Sequence, residues 1–228
     1  MTEDMAEEKD KKQKFRLICF DLDGTIIDET VFIWQTIHDH VKTDKEKRQK
    51  AAEDFFSKRI SYEQWMTGDL EMWKEVGATK KEIMEALEPL KLMPGAMEAL
   101  KELKRRGLKL AIISGSLNIA IEKVMPDYND YFDDVFINHI YFDEHGNISG
   151  GKATAHDFEH KASALKEICK RESISPDECV FVGDHENDIQ AAEAAGLSIA
   201  FNCKSDSLAQ VADVVIEKKD LREILDHI

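Results

Sequence analysis

Cysteine is scarce in this chain, and positive charge is in deficit. The four cysteines, Cys19, Cys169, Cys179 and Cys203, are scattered and form no C-x-x-C pair. That pattern excludes a disulfide framework and a zinc site, and it suits a reducing cytosol. Cys19 lies within an apolar run and reads as a small buried hydrophobe. Long hydrophobic runs are also missing: no apolar stretch reaches the ~20 residues of a membrane span. The N-terminus is charged rather than signal-like. Lysine and arginine number 31 against 46 acidic residues, a formal net charge of −15. Such a surface repels nucleic acid and anionic lipid. The expectation is a cytoplasmic protein whose partner is neither nucleic acid nor membrane. If an acidic chain handles phosphate, it must gather positive charge locally, from a metal ion, a lysine or backbone N–H groups.

What is present is an alternating design. With 228 residues and 43% hydrophobic content, the chain suits one compact core plus a modest insertion. Residues 1–14 are almost entirely polar or charged and predict a solvated tail. Phe15 to Phe20 is a short apolar run that stops at Asp21-Leu22-Asp23-Gly24, as a buried strand running into a turn does. The design recurs at Leu108–Ile113 before Ser114-Gly115-Ser116, and at Cys179–Val182 before Gly183-Asp184. Further strands are expected over 197–201 and 211–216. A helix is expected over 188–195, closed by Gly196 as a C-terminal cap. His145-Gly146-Asn147, between β-compatible residues, predicts a hairpin turn. Strands alternating with helices predict an α/β fold, a Rossmann-like parallel sheet covered on both faces. Residues 15–28 and 93–228 would form this core. Residues 29–92 show helical patterning without an obvious strand and predict a small inserted helical cap. Its aromatics, among them Phe32, Trp34, Phe55, Phe56, Tyr62, Trp65 and Trp73, are expected mainly to pack inside that cap.

Ligands of parallel sheets sit beyond the carboxyl ends of the strands, where Asp21, Asp23, Ser114 and Asp184 fall. Two carboxylates two positions apart can divide the work of phosphoryl transfer. One attacks phosphorus; the other protonates the leaving oxygen and later activates water. Their mutual repulsion calls for a divalent cation between them. A plain D-x-D-G turn after a strand is the bland alternative. Asp184 can complete a hard oxygen site, and Asp188 serves equally well as a helix cap or as support for the metal. Taken alone, Ser114 reads as a helix cap or turn residue, and Lys161 as a solvated lysine.

Asp21-x-Asp23-Gly24-Thr25, Ser114, Lys161 and Gly183-Asp184-x-x-Asn187-Asp188 occur in the order of the four motifs of the haloacid dehalogenase-like hydrolases. From Phe15 to the C-terminus the chain resembles that family, and most of all its phosphoserine phosphatase-like branch. The resemblance implies Mg²⁺ as cofactor and a small phosphorylated metabolite as substrate. It implies Asp21 as nucleophile and metal ligand. Asp23 would be the general acid/base and lend the metal its backbone carbonyl. Ser114, Gly115, Lys161 and Asn187 would bind phosphate, Asp184 would ligate the metal, and Asp188 would support it.

Two departures bear on substrate. The phosphoserine enzymes carry a cap glutamate for the amine and a cap arginine for the carboxylate. Glu29 stands near the first, shifted by one residue. No arginine follows Tyr62-Glu63-Gln64, which leaves Arg59 and Tyr62 as specificity candidates. Ser116 replaces the usual glycine of the second motif. The expectation is a phosphatase that prefers an ester without a carboxylate. A phosphotransferase on the same intermediate and phosphoserine phosphatase proper are the alternatives, and a non-catalytic binding protein is the remote one. Dehalogenation needs no general acid at Asp23, and an ion pump would need membrane spans.

Overall fold

The computed structural model describes residues 14–157 and 160–228. The predicted tail therefore lies, except for Lys14, outside the described residues. The chain forms, in order, β1 (Leu17–Phe20), β2 (Ile27–Asp28), α1 (Ile33–Val41), α2 (Lys45–Phe56), α3 (Tyr62–Glu75), α4 (Lys80–Ala86) and β3 (Lys91–Leu92). There follow α5 (Ala96–Arg105), β4 (Lys109–Leu117), α6 (Asn118–Val124), β5 (Asp134–Phe142), β6 (Ile148–Lys152) and α7 (Lys161–Glu172). The chain ends with β7 (Cys179–Gly183), α8 (Ile189–Ala194), β8 (Leu197–Phe201), α9 (Asp206–Val211) and β9 (Val214–Ile216).

The main sheet has the order β6-β5-β4-β1-β7-β8-β9. Its pairs are parallel except the β5–β6 hairpin. The most apolar run takes the centre: Phe20 of β1 is in register with Ile112 of β4 and with Val182 of β7. Side chains alternate across the sheet. Leu17 and Cys19 pack on one face with Leu165 and Ile168 of α7. Ile18 and Phe20 pack on the other with Leu100 and Leu103 of α5. Both faces are thus buried, which is why these strands read as continuous apolar runs. Cys19 is fully buried, as its neighbours in sequence suggest. No described helix is long and apolar enough to cross a membrane.

Residues between β2 and β3 form four helices, three of which start at a side-chain cap. Asp44 caps α2 by accepting from the N–H groups of Glu46 and Lys47. Ser61 with Gln64, and Thr79 with Glu82, form capping boxes on α3 and α4. The two ends of this segment are joined by a strand pair the sequence did not announce, Ile27 with Leu92 and Asp28 with Lys91. The expected hairpin at 145–147 is present, and Asn147 bridges to Thr79. Gly196 differs from expectation. Ala195 ends α8 in an extended conformation, so no left-handed cap forms there. The glycine is needed for close approach instead, since a Cβ at position 196 would stand 2.1 Å from the Asp177 carbonyl oxygen.

Candidate active site

Parallel pairing brings the carboxyl ends of β1, β4 and β7 together: Asp21 and Asp184 follow β1 and β7, whereas Ser114, Gly115 and Ser116, expected beyond a strand ending at 113, lie inside β4, where its register with β5 shifts. Asp21 continues directly from β1, its N–H donating to the Val182 carbonyl at 2.9 Å. Lys161 opens α7 and is completely buried. A lysine is buried only with partners, and its ammonium has two: it donates to Asp21 Oδ1 at 2.5 Å and to Asp188 Oδ1 at 2.7 Å. The second oxygen of Asp188 accepts from the N–H groups of Asp184 and His185, at 3.0 and 3.1 Å. One carboxylate thus closes the 184–188 turn, the capping role its sequence position allowed, and also anchors the lysine, a contact the sequence did not suggest.

Asp184 is buried against Gly24. That glycine has φ +75°, and a Cβ there would stand 2.2 Å from Asp184 Oδ2. Oδ2 itself has no hydrogen-bond partner among the described residues. Carboxylate oxygens of Asp21, Asp184 and Asp188 come within 4.8 Å of one another. Burial, then the charges of Asp21 and Asp188, push Asp184 up to about 9. Burial pushes Asp21 up to about 7 against the pull of Lys161. Three crowded carboxylates, one with an orphaned oxygen and none with a soft neighbour, fit a hard divalent cation.

The Asp23 carboxylate turns away from this cluster. It accepts from Ile33 N–H at 2.7 Å, at the start of α1, and from Ser116 Oγ at 2.7 Å. Burial raises its pKa to about 6, with the Ser116 hydrogen bond opposing. The residue by which the second motif departs from the family pattern is therefore bonded to the proposed acid. Ser114 is buried, and its hydroxyl oxygen accepts from Ser116 N–H at 3.2 Å. The Gly115 carbonyl accepts from the Trp34 indole at 2.8 Å and from Asn138 at 2.7 Å.

These groups open onto a cavity of about 470 Å³. Asp21, Asp23, Ser114, Gly115, Asp184 and Asn187 line one end; Trp34, Arg48, Phe56, Tyr62, Trp65 and Asp69 belong to the helical side. The expectation that the aromatics mainly pack inside the cap is met by fully buried Trp73. Trp34, Phe56, Tyr62 and Trp65 instead line the cavity, as does Phe32. A single layer of helices laid over the strand ends must face both its own core and the opening. Of the specificity candidates, Tyr62 lines the cavity, its hydroxyl accepting from Asn138 at 2.7 Å. Glu29 is exposed, with φ +65°, and does not line it. Arg59 is exposed, donates to Asp54 at 2.6 Å, and lines a neighbouring cleft. The cation that does line the cavity is Arg48 of α2, which sequence reasoning missed. Arg48 donates to Gln35, and its charge is flanked by Asp69 and Asp39. The helical patterning of its segment is legible in the sequence, but which face of α2 looks inward is not.

The family model for haloacid dehalogenase-like hydrolases matches residues 15–196. The chain is 32% identical over 222 residues to phosphoserine phosphatase of Methanocaldococcus jannaschii, covering 95% of this chain and 99% of that one. It is 30% identical over 222 residues to phosphoserine phosphatase of Wolinella succinogenes, covering 93% and 100%. Among solved structures it is similar to a phospho-aspartyl intermediate analogue of phosphoserine phosphatase, with TM-score 0.73, 30% identity and coverage of 94% and 99%. A substrate-bound phosphoserine phosphatase complex matches with TM-score 0.72, 29% identity and coverage of 94% and 98%.

Proposed function

Since this chain belongs to the haloacid dehalogenase-like hydrolases, in the phosphoserine phosphatase-like branch, and is a phosphoric monoester hydrolase working through an aspartyl-phosphate, we propose that Asp21 is the residue phosphorylated. The observation that carries this reading is Lys161, fully buried and clamped between Asp21 and Asp188 beside the orphaned oxygen of Asp184. A buried ammonium in that position neutralises a nucleophilic carboxylate and an incoming phosphoryl group together, so that anion can approach anion.

The ester binds with its phosphoryl group against Lys161, Ser114, the Gly115 loop and Asn187. A carboxylate oxygen of Asp21 attacks phosphorus, and the bond to the ester oxygen breaks. The leaving alkoxide takes the proton of Asp23, which burial holds within reach of neutral pH. Asp23, now a carboxylate, removes a proton from the water that attacks the acyl phosphate. Asp21 is released with inorganic phosphate. Residues 29–92 act as a cap that covers the leaving group and limits access of water. Mg²⁺ is the cation proposed, held by the carboxylates of Asp21 and Asp184 and the Asp23 carbonyl, with Asp188 behind them; when bound it supplies charge neutralisation at the phosphoryl oxygens.

The test is Asp21→Asn assayed on p-nitrophenyl phosphate with Mg²⁺. Loss of a covalent nucleophile is expected to lower kcat by at least about a thousandfold. Retention of wild-type turnover in a folded Asp21→Asn protein would overturn the assignment.

A further inference from the structure

The cavity is more than a phosphate site needs, and its helical side has a definite chemistry. Asp69 is 5% exposed and lines the cavity, and its Oδ1 has no hydrogen-bond partner among the described residues. A carboxylate this buried is favoured by an opposite charge brought to the cavity it borders.

The side chain is held from behind. His38, 2% exposed, brings Nε2 to 3.3 Å from Asp69 Oδ1. Its Nδ1 accepts from the Trp73 indole N–H at 3.1 Å and lies 2.7 Å from Thr43 Oγ1. An indole nitrogen only donates, so Nδ1 is an acceptor and the ring proton sits on Nε2, toward Asp69. The network fixes where this carboxylate stands.

The walls beside Asp69 are aromatic and mutually braced. Trp34 stacks on Trp73 with ring centres 5.2 Å apart, while its indole N–H is bonded to Gly115. Trp65 stacks on Phe55 at 4.5 Å and meets Phe56 and Tyr62 edge-on at 5.8 and 6.4 Å. Asp157 and Glu186 add two more carboxylates to the lining. Of the two basic side chains there, Arg48 and His185, Arg48 is already bonded to Gln35 and lies beside Asp69 and Asp39. Rings around a desolvated acid attract a cation and reject a second anion.

We infer that the leaving group carries a cationic nitrogen with carbon substituents: the substrate is the monophosphate of an N-alkylated amino alcohol, selected by Asp69 within the aromatic walls and positioned by His38. This rests on the phosphatase reading above and names its substrate class. Gln35, Arg48, Asn187 and Gln190 also line the cavity, so a neutral polyol could be held there, but without using the charge of Asp69 or the faces of the rings. A substrate carboxylate would meet Asp69, Asp157 and Glu186.

The experiment compares kcat/KM, with Mg²⁺, for phosphocholine, phosphoethanolamine, phosphoserine and glycerol 2-phosphate, using p-nitrophenyl phosphate as the reference ester. Phosphocholine is expected to exceed phosphoserine and glycerol 2-phosphate by about tenfold or more, the scale of a desolvated cation–aromatic contact. In Asp69→Asn the ratio of phosphocholine to glycerol 2-phosphate should fall by about tenfold, mainly through KM, the split expected when ground-state binding is lost. Asp69→Glu keeps the charge and should keep the preference, which separates selection from a folding defect. A wild-type preference for phosphoserine that disappears in Arg48→Gln would overturn the inference and make Arg48 a carboxylate partner. A preference for glycerol 2-phosphate, or an unchanged ratio in a folded Asp69→Asn protein, would overturn it too. In both cases turnover of p-nitrophenyl phosphate would leave the phosphatase reading standing. No turnover of p-nitrophenyl phosphate by the wild type would bring down both.

Discussion

Lys161 joins Asp21 and Asp188 across 140 and 27 positions of chain. Removing one member of a buried ion cluster leaves the others uncompensated, which costs about 3–5 kcal/mol. Lys161→Met is therefore expected to lower the urea midpoint clearly and to reduce kcat/KM on p-nitrophenyl phosphate by at least about a hundredfold. A small effect on both would show that the lysine is not the internal counter-charge. Ser116 offers a finer probe. Its hydroxyl stabilises the charged form of Asp23, so Ser116→Gly should raise the Asp23 pKa above its present value of about 6. The protonated acid then persists to higher pH. The alkaline limb of kcat/KM, which reports the step where the alcohol leaves, should shift upward in the variant. A shift downward would mean that Ser116 does not act through Asp23.

Elements also meet through close backbone approaches at the end of the sheet opposite the active site. The chain leaves α8 and enters β8 past Gly196, whose N–H donates to the carbonyls of Pro176 and Cys179 at 2.9 and 3.0 Å. A methyl group there would strike the Asp177 backbone, which cannot swing aside as a side chain can. Gly196→Ala is expected to destabilise the fold by about 1–3 kcal/mol, the usual scale of overpacking, read as a lower urea midpoint with an unchanged m-value. A neutral result would show that the turn relaxes freely. On the other side of the sheet, the two-residue pair of β2 and β3 is all the strand structure that joins the ends of the helical segment. So short a neck leaves the helices to be positioned by what they touch, chiefly Trp34 on Gly115 and α3 on β6.

For the whole molecule, the site makes stability depend on pH and on metal. Asp23, Asp21 and Asp184 are raised from 3.8 to about 6, 7 and 9 in the folded state. A carboxyl group raised on folding favours the folded state while protonated. Between about pH 4 and pH 9 the metal-free fold holds protons that the unfolded chain has released, so its stability falls as pH rises. Each such proton contributes a slope of up to about 1.4 kcal/mol per pH unit. Lys161 is raised above 10.5, so its contribution is already complete below that pH and does not alter the sign here. The expected outcome is a lower urea midpoint at pH 8 than at pH 5.5 in EDTA, with Mg²⁺ raising the midpoint more at pH 8. Equal midpoints with and without Mg²⁺ at pH 8 would argue against a cation among these carboxylates. The net charge of −15 works in the same direction, through self-repulsion.

The sheet was legible in the sequence because strands buried on both faces appear as apolar runs, and each run that matters ends in its own acid or hydroxyl. Asp21 and Asp184 could be placed at strand ends from that local pattern; Ser114 could not, because β4 runs on to Leu117, and the helix starts at Asp44, Ser61 and Thr79 came only from the structure. Local pattern also named Asp188 and Gly196, but not what each does. Asp188, read as a cap or a metal support, also pairs with Lys161, and Gly196, read as a C-terminal cap, clears space against Asp177 instead. The helical side was least legible. Trp34 reaches Gly115 across 81 residues, and His38 reaches Trp73 across 35. Helical periodicity tells which residues share a face, but a segment folded over strand ends has two faces to satisfy. Only packing against the sheet decided that Trp73 fills the core while Trp34, Arg48 and Asp69 border the cavity.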